Sequence, residues 1–529
     1  MNLKQSRRKD GRIYLSIEKA YRDKATGKPR ARTIRSLGYL DVLQQEYPDP
    51  VAHFREAARR MTEEEHRERK ASFVVDLEEK LPSGADNRKN LGYAAILKIY
   101  HELGLDEFFR NKARSEGLPY NTSAIMTLLV ISGILSPGSK RKAFEEKDRY
   151  FERFDFSLAD LYDSFPHFAR ISKEVQKHLH EGISSLCGRD TDTVYYDVTN
   201  FRFESDRPSE PSQSGAGKEV RPGSVIQMGL ATDMEQIPLH FDLFPANAST
   251  KEALRTVIGD IRKKYGARRV LAVGDMDTVT GDTLLSFQGK DRTKSFNGYV
   301  IRIPVRSGPE DLRKFVLSGE GYVDEAGRPA GANEEFKVKS RRITREITAT
   351  LPGGNRLTKT VIEKQVVFLE RRSTRGQYLP DCALSMEEQL YEGYSAMVTS
   401  ELDLPDTEVI GICRNLRELE ESCRVAKRAL EAQPALTSLQ SFVQAHFLTC
   451  FTCLTMVRIL KKRTGGRFSA EEITDCLNRI SCTGEYENTY LFDHRSPVSD
   501  ALGKALGLDF TRKRLRLADI KAMLAQAKK

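Results

Sequence analysis

The 529-residue sequence predicts a multidomain α/β protein that begins with a basic β-hairpin and a helical domain. Helical periodicity dominates residues 87–185, whereas β-forming residues recur from about residue 189. The apolar fraction of 39% and the charged fraction of 30% are typical of a globular chain. At roughly 150 residues per domain, the length corresponds to about three or four domains.

The net charge of +10 is concentrated at the two ends of the chain. Residues 1–36 contain 12 basic and 3 acidic side chains, and residues 511–529 contain 7 basic and 1 acidic. The segment between them is therefore mildly acidic. Basic ends on an acidic body predict an anionic partner, with nucleic acid as the first candidate, although basic ends can also simply solvate a chain.

Several other classes of protein are disfavoured. The sequence contains no run of about 18 uncharged apolar residues, no apolar stretch behind its charged N-terminus, and no GxxxxGK[ST], GxSxG or HExxH motif. Cys450 and Cys453 form a CxxC inside an apolar helical run, which predicts buried thiols rather than a zinc site. We therefore expect a cytoplasmic protein without a membrane segment.

The first predicted domain, residues 1–80, combines a β-hairpin with a helix. Alternating segments around residues 12–21 and 30–37 flank the turn-forming KATGKP and carry basic side chains outward. Residues 49–72 follow as a charged amphipathic helix. Such a ribbon could bind a duplex backbone or groove, although an ordinary solvated hairpin has the same pattern.

Five further segments are predicted downstream. Residues 81–188 form a helical domain, since LGYAAILKIYHELGLDEFF and NTSAIMTLLVISGILS repeat apolar residues at helical spacing. Residues 189–309 contain strands, including TDTVYYDVTNFRF and the apolar RVLAVG, which fits a central strand buried on both faces. Residues 310–400 are β-rich, residues 401–465 are helical, and residues 466–529 form a helical region with a basic tail.

Two aspartates follow β-forming runs, Asp197 after TVYY and Asp275 after VLAVG. The C-terminal edge of a central strand is where α/β folds place active groups. Strands also often end in aspartate as a turn residue, so one such position alone is weak evidence. Two of them, followed by an acidic helix, favour a catalytic role.

That helix is predicted over residues 406–430. Glu420 shares one of its faces with Arg417, Arg424 and Lys427. The carboxylate could hold a metal while the cations contact phosphates, but a surface pattern of ion pairs would have the same spacing.

Three carboxylates suit two divalent cations about 3.5–4 Å apart, one activating a water or 3′-hydroxyl and the other stabilising the leaving oxygen. Hard oxygen ligands favour Mg²⁺, and Mn²⁺ can substitute for it. The carboxylates therefore predict phosphodiester chemistry, which agrees with the basic ends of the chain.

Taken together, several segments resemble a bacterial insertion-sequence transposase of the DDE superfamily, in the sixteen-thirty-four branch of the insertion-sequence-four group. The resemblance rests on GRIYLSIEKAYRDKATGKPRARTIRSLGYLDVL, ISGILSPGSKRKAFE, YYDVTNFRFE, GKEVRPGSVIQMGLATD, VLAVGDMDTVTGDTL and EGYSAMVTSELDLPDTEVIGICRNLRELEESCRVAKRALEAQPAL. It implies an α/β RNase H-like catalytic core in which Asp197, Asp275 and Glu420 bind two Mg²⁺. It also implies a β-rich insertion between Asp275 and Glu420.

The same resemblance implies the activity and the partners. The protein would bind the inverted-repeat ends of its element as double-stranded DNA, cleave them, and join the 3′-hydroxyl ends to target DNA. Arg417, Arg424 and Lys427 would contact phosphates near the cleaved bond. Two protomers would pair two ends, in a bacterial cytoplasm and in association with the nucleoid.

The chain departs from the family pattern at several positions. Cys413 and Leu416 stand where the helix signature has Tyr and Arg, Asp277 replaces a Gly and is a rival ligand to Asp275, and the chain has no Trp to stack a flipped base. Two alternatives therefore stay open. One is a transposase-derived DNA-binding protein without catalysis, and the other is an RNase H-like structure-specific nuclease.

Overall fold

The computed structural model describes the chain in two compact units, Met1–Ala85 and Asp86–Lys529. The described residues are all of 1–529 except 9, 23–28, 68–77, 79, 81, 203–224, 246–249, 277–280, 282–283, 286–296, 332–333, 351–354, 372–388 and 415–439.

The first unit is a three-stranded antiparallel sheet with a long helix. Its elements are β1 (Asn2–Arg7), β2 (Ile13–Arg22), β3 (Pro29–Tyr39), α1 (Leu40–Leu43) and α2 (Pro50–Arg67). The predicted hairpin is confirmed as β2 and β3, whereas β1, which pairs with β2, was not predicted. Leu15 and Ile17 are fully buried, and α2 contributes Phe54 and Ala58 to the buried set.

The second unit alternates helical and β-rich parts. In chain order its elements are β4 (Arg88–Asn90), α3 (Tyr93–Glu102), α4 (Leu105–Glu116), α5 (Thr122–Leu135), α6 (Lys140–Glu145), a 3-10 helix (Lys147–Arg149), α7 (Leu158–Asp163), α8 (Phe165–Cys187), β5 (Thr193–Arg202), β6 (Val225–Thr232), β7 (Pro238–Pro245), α9 (Thr250–Tyr265), β8 (Arg269–Asp275), β9 (Gly298–Ile303), α10 (Glu310–Leu317), β10 (Phe336–Thr350), β11 (Arg356–Glu370), β12 (Tyr394–Thr399), α11 (residues 406–414), α12 (Gln440–Arg463), α13 (Ala470–Arg479), β13 (Ser481–Gly484), a second 3-10 helix (Tyr486–Asn488), β14 (Thr489–Phe492), α14 (Pro497–Leu506), β15 (Arg514–Arg516) and α15 (Leu517–Ala527).

The helical part is built around α12. This helix packs against α8, α5 and α3, so a segment that follows the sheet in the chain completes the core of helices that precede it. By length and composition α12 could cross a membrane. However, most of it is buried in this unit, and the core helices of globular proteins can have the same length and composition. Its apolar composition is accounted for by this packing.

The C-terminal segment is integrated into the same core. The short strands β15, β14, β13 and β4 form a four-stranded sheet in that order, and α15 packs on α3. Leu515, Ile520 and Leu524 are buried although basic residues surround them. The basic segment 511–529 is therefore a folded edge of the unit rather than an extended arm.

The large sheet contains eight strands in the order β10-β11-β12-β9-β8-β5-β6-β7. Strands β5, β8 and β9 are mutually parallel neighbours, and the other pairings are antiparallel. The segment predicted to be β-rich, residues 310–400, contributes β10 to β12, which extend this sheet beyond β9. The chain is thus of mixed α/β class.

The two faces of this sheet are covered by different helices. One face packs against α9 and α10 through residues such as Val194, Ile261 and Leu312. On the other face, α11 covers Val273 and Val300. Further along this second face, β6 and β7 pack against the helical part, where the rings of Phe241 and Phe451 lie 5.2 Å apart.

A buried ion pair joins the entry of β5 to the turn between β6 and β7. The Arg189 Nε donates to Asp233 Oδ2 over 2.7 Å, and its Nη2 donates to the carbonyl oxygens of Ile237 and Pro238, both over 2.6 Å. The two side chains are only 1% and 3% exposed. Burial lowers the pKa of Arg189 and raises the pKa of Asp233, while their mutual attraction opposes both shifts.

Gly229 of β6 leaves room for a tyrosine of β5. A Cβ atom at this position would lie 1.8 Å from the Tyr196 hydroxyl oxygen, and Tyr196 is buried. Gly229→Ala is therefore expected to lower the free energy of unfolding by about 1–3 kcal/mol through overpacking. Gly259→Ala on α9, where a Cβ meets open space, should instead raise it by up to about 1 kcal/mol. Urea denaturation of both variants checks the opposite signs, and equal effects would contradict the overpacking at Gly229.

Candidate active site

Asp197 and Asp275 lie on neighbouring parallel strands, β5 and β8. Asp197 is in register with Val273, and Asp275 stands two residues further along β8. Because side chains alternate in a strand, residues two apart share a face, so both carboxylates belong to the same face of the sheet. With strands about 4.8 Å apart and a rise of about 3.3 Å per residue, their Cα atoms are roughly 8 Å apart.

The two aspartates occupy different positions in their strands. Asp275 is the last residue of β8, as predicted from the sequence. Asp197 lies inside β5, which continues to Arg202 by pairing with β6 alone, so the expectation of a strand end needs correction. What ends at Asp197 is the parallel pairing with β8. Asp197 is 8% exposed, and the side chain of Asp275 is 37% exposed.

Helix α11 covers the same face of the sheet beside the aspartates. Val409 and Ile410 pack with Val273 of β8 and Val300 of β9, and this packing holds the helix against the two strands. The hydroxyl of Tyr195, two residues before Asp197, donates to Glu408 of the helix over 3.4 Å. Burial raises the pKa of Tyr195 to about 12, so this hydroxyl stays protonated and can donate.

The last described turn of α11 is also fixed to the sheet. Arg414 forms an ion pair of 2.9 Å with Glu370 at the end of β11. Cys413, which stands at the Tyr position of the family's helix signature, is fully buried among the apolar residues of this face. Cys413 therefore helps to pack α11 against the sheet, and this position offers no aromatic ring to solvent.

Arg302 of β9 is the residue that sequence reasoning missed. It is in register with Asp275, and its Nε and Nη2 donate to the two carboxylate oxygens of Asp275 over 2.5 and 2.8 Å. Such a two-pronged pair fixes the orientation of the carboxylate and supplies a positive charge beside it. In the sequence, Arg302 is marked as unusual because it is the one charged residue inside the otherwise apolar run GYVIRI.

The remaining predicted site residues lie outside the described part of the chain. They are Arg417, Glu420, Arg424 and Lys427, which were predicted to lie on the acidic helix, the rival ligand Asp277, and Leu416 of the signature. Within the described residues, no group of three or more His, Cys, Asp or Glu side chains is placed to hold a metal ion. The structure therefore brings together two of the three predicted carboxylates, with Arg302.

A comparison with protein-family models matches residues 2–72 to the IS1634 family transposase, N-terminal domain. Residues 2–72 are thus similar to the N-terminal domain of IS1634 family transposases. The match spans the β1–β3 sheet, α1 and α2, and it confirms the resemblance to the IS1634 branch of insertion-sequence transposases. The predicted basic hairpin, β2 and β3, lies within the matched residues.

Two further comparisons complete the findings. No curated protein matches the chain. Among solved structures, the chain is similar to the cryo-EM structure of the piggyBac transposase synaptic complex with hairpin DNA, at 8% identity and a TM-score of 0.33, over 82% of this chain and 84% of that one. Similarity at this level supports no conclusion about the mechanism of this chain.

Proposed function

We propose that this protein is a DDE transposase that binds the inverted-repeat ends of its insertion sequence, cleaves them, and joins the 3′-hydroxyl ends to target DNA. The observation that carries the proposal is the placement of Asp197 and Asp275 on one face of two parallel strands, in a chain with an IS1634 transposase N-terminal domain. A second carboxylate on the same face is what phosphodiester chemistry with divalent metals needs.

The strand arrangement supports an RNase H-like core. The five strands from β7 to β9 run in the order β7-β6-β5-β8-β9, with the first two pairings antiparallel and the last two parallel. This order and these directions support the RNase H-like core that the resemblance implies, in which Asp197 would lie on the first strand and Asp275 on the fourth. Strands β10 to β12 are then the insertion before the acidic helix.

The carboxylates fit hard divalent cations. Asp197 and Asp275 offer only oxygen ligands, and one is buried while the other reaches solvent, so a cation held between them would be partly desolvated and still accessible to DNA. Two Mg²⁺, with Mn²⁺ as a substitute, would there activate the attacking water or 3′-hydroxyl and stabilise the leaving oxygen. In the described structure, Arg302 holds the Asp275 carboxylate in one orientation.

We assign Glu420 as the third ligand. It follows Arg414, the last described residue of α11, by six positions, which span at most about 20 Å when fully extended. The start of that segment is fixed against the face that bears Asp197 and Asp275. The nearby cations Arg417, Arg424 and Lys427 would contact the DNA phosphates.

The N-terminal domain supplies a basic surface for DNA ends. Arg30, Arg32 and Arg35 of β3 are exposed on its sheet, as expected for a ribbon that contacts a phosphate backbone. Two protomers would each hold one end, which gives a homodimer on paired DNA.

The proposal is tested with DNA that carries the ends of the element. The full chain, incubated with such a duplex and Mg²⁺ or Mn²⁺, should nick at the repeat boundary and join the 3′-hydroxyl to a supercoiled plasmid. Ca²⁺ in place of Mg²⁺ serves as the control for binding without cleavage. Binding without nicking in any metal would favour the non-catalytic alternative, and cutting of branched DNA without joining would favour the nuclease.

Arg302→Gln is expected to tighten Mn²⁺ binding about fivefold or more. The guanidinium occupies both oxygens of Asp275 and repels a cation beside it, an effect worth more than about 1 kcal/mol at short range. Calorimetric titration of the full chain with Mn²⁺ measures the affinity. Arg328→Gln, which removes an exposed pair with Asp324, is the control and should leave it unchanged. Weaker Mn²⁺ binding in Arg302→Gln would show that the residue acts mainly by orienting Asp275.

A further inference from the structure

A second concentration of positive charge lies in a cavity of about 380 Å³ in the helical part of the larger unit. The cavity is formed where β4, the 3-10 helix at Lys147–Arg149, the end of α13 and the start of β13 meet, and the residues after β14 close it. None of these segments belongs to the sheet that bears Asp197 and Asp275. It is therefore a feature separate from the candidate active site.

The lining of the cavity is polar throughout and strongly cationic. Four cations, Arg88, Lys89, Arg149 and Arg479, face one carboxylate, that of Asp493. The partners of these cations neutralise them only in part. Arg149 pairs with Glu146 at 3.1 Å. Arg479 pairs with Asp475 at 3.8 Å with both side chains more than 60% exposed, and Lys89 donates to the backbone carbonyl of Asp148 over 2.6 Å. A surface pair of this kind contributes little, so the charge remains available to a ligand.

Two carbonyl groups at the end of α13, the helix whose last residues line the cavity, already accept hydrogen bonds. Asn90 of β4 is buried, and its amide donates to the carbonyl oxygens of Leu477 and Asn478 over 2.9 and 3.0 Å. These oxygens belong to the last turn of α13, where unpaired carbonyls would otherwise repel an anion. Because Asn90 occupies them, the positive side chains dominate the field inside the cavity.

His494 provides an additional hydrogen-bonding group at this site. Its Nε2 atom is buried and has no hydrogen-bond partner within the described part of the chain. A buried polar atom without a partner is costly in free energy. Burial lowers the pKa of His494 and Arg479 lowers it further, while the carboxylates of Asp475 and Asp493 oppose the shift.

We propose that this cavity binds a phosphate group of duplex DNA, at a point on the transposase other than the candidate active site. The inference rests on the proposed function for its choice of DNA as the source of the phosphate. The described lining residues are all polar or charged, with cations in excess, which fits a contact with the phosphate backbone. Such contacts fix the register of a protein on DNA without reading sequence.

The test uses the full chain, a 30-bp duplex of arbitrary sequence and a series of salt concentrations. The double variant Arg88→Gln, Arg479→Gln removes two exposed lining cations without touching the core. The charge-matched control is Arg153→Gln, Arg495→Gln, since both arginines are exposed and lie outside the cavity. Fluorescence anisotropy gives the association constant and its dependence on salt.

The cavity variant should bind DNA roughly tenfold more weakly than the control at 0.1 M salt, and its slope of log K against log salt should be smaller by about 0.9 per lost phosphate contact. Equal affinity and slope in the two variants would overturn the cavity assignment while leaving DNA binding intact. No duplex binding by any chain, wild type included, would overturn the proposed function and this inference with it.

A second measurement separates DNA from a free anion. Inorganic phosphate is titrated calorimetrically into the wild-type chain and the cavity variant. Phosphate binding that disappears in the variant, together with unchanged DNA affinity, would assign the cavity to a small anion and overturn its assignment to DNA. Loss of DNA affinity in the variant supports the proposal whether or not free phosphate binds measurably.

Discussion

Asp197→Asn is expected to abolish Mg²⁺-dependent strand cleavage while leaving binding to transposon-end DNA within about twofold of wild type. The amide keeps the shape of the side chain but removes the charge that a divalent cation requires. Substituting outer residues that merely support metal ligands already costs 10–100-fold, so loss of a direct ligand should exceed about 100-fold. Single-turnover cleavage of end DNA in Mg²⁺ measures the effect.

Asp260→Asn is the matched control for that variant. Asp260 lies on α9, which covers the opposite face of the sheet, and its carboxylate pairs with Lys264 over 2.6 Å. The Asp260→Asn variant should cleave end DNA at the wild-type rate. Wild-type cleavage by Asp197→Asn would remove this residue from the proposed catalytic set, and loss of DNA binding in the same variant would indicate a structural role.

Arg189→Met is expected to lower the free energy of unfolding by about 3–5 kcal/mol. The substitution leaves Asp233 as a buried carboxylate whose charge has lost its main partner, and the cost of breaking a buried pair is of this size. It also removes the hydrogen bonds that Arg189 Nη2 donates to the carbonyls of Ile237 and Pro238, although the backbone N–H of Asp233 still donates to Ile237. Urea denaturation followed by circular dichroism gives the change.

Two comparisons identify the cause of that loss. Arg495→Met breaks an exposed pair with Asp500 and should cost no more than about 1 kcal/mol. The double variant Arg189→Met, Asp233→Leu removes both charges and should recover much of the loss, because well-packed apolar replacements of buried pairs are often neutral. If the double variant is as unstable as the single one, the backbone hydrogen bonds rather than the charge are responsible.

Local sequence patterns predicted many of the elements but not how distant ones combine. The alternation in residues 12–21 and 30–37 gave the β2–β3 hairpin, and the helical periodicity after residue 87 gave α3 to α8. The packing of α12 onto those helices was not predictable in the same way, because its partners lie hundreds of residues away. In residues 511–529 the abundant basic residues hid Leu515 and Ile520, which are buried.

The candidate site was predictable in its residue types and less so in its geometry. Runs of β-formers located Asp197 and Asp275, but only the register between β5 and β8 shows that they share a face. Arg302 could not be inferred as the partner of Asp275, since the pairing of β8 with β9 is a property of the folded sheet. Glu420 and its neighbouring cations stay predictions.

The closure of the helical part by the end of the chain has a consequence for synthesis on the ribosome. Strand β4 pairs with β13, and α3 packs against α15, so the earliest and latest segments of the larger unit depend on each other. The strands of the large sheet lie between these segments in the chain, so they emerge before β13 and α15. At about 5–20 residues per second, the residues after α11 take roughly ten seconds to emerge. During that interval the chain can pair β5 with β8, while α3 and α5 still lack the partners that cover them.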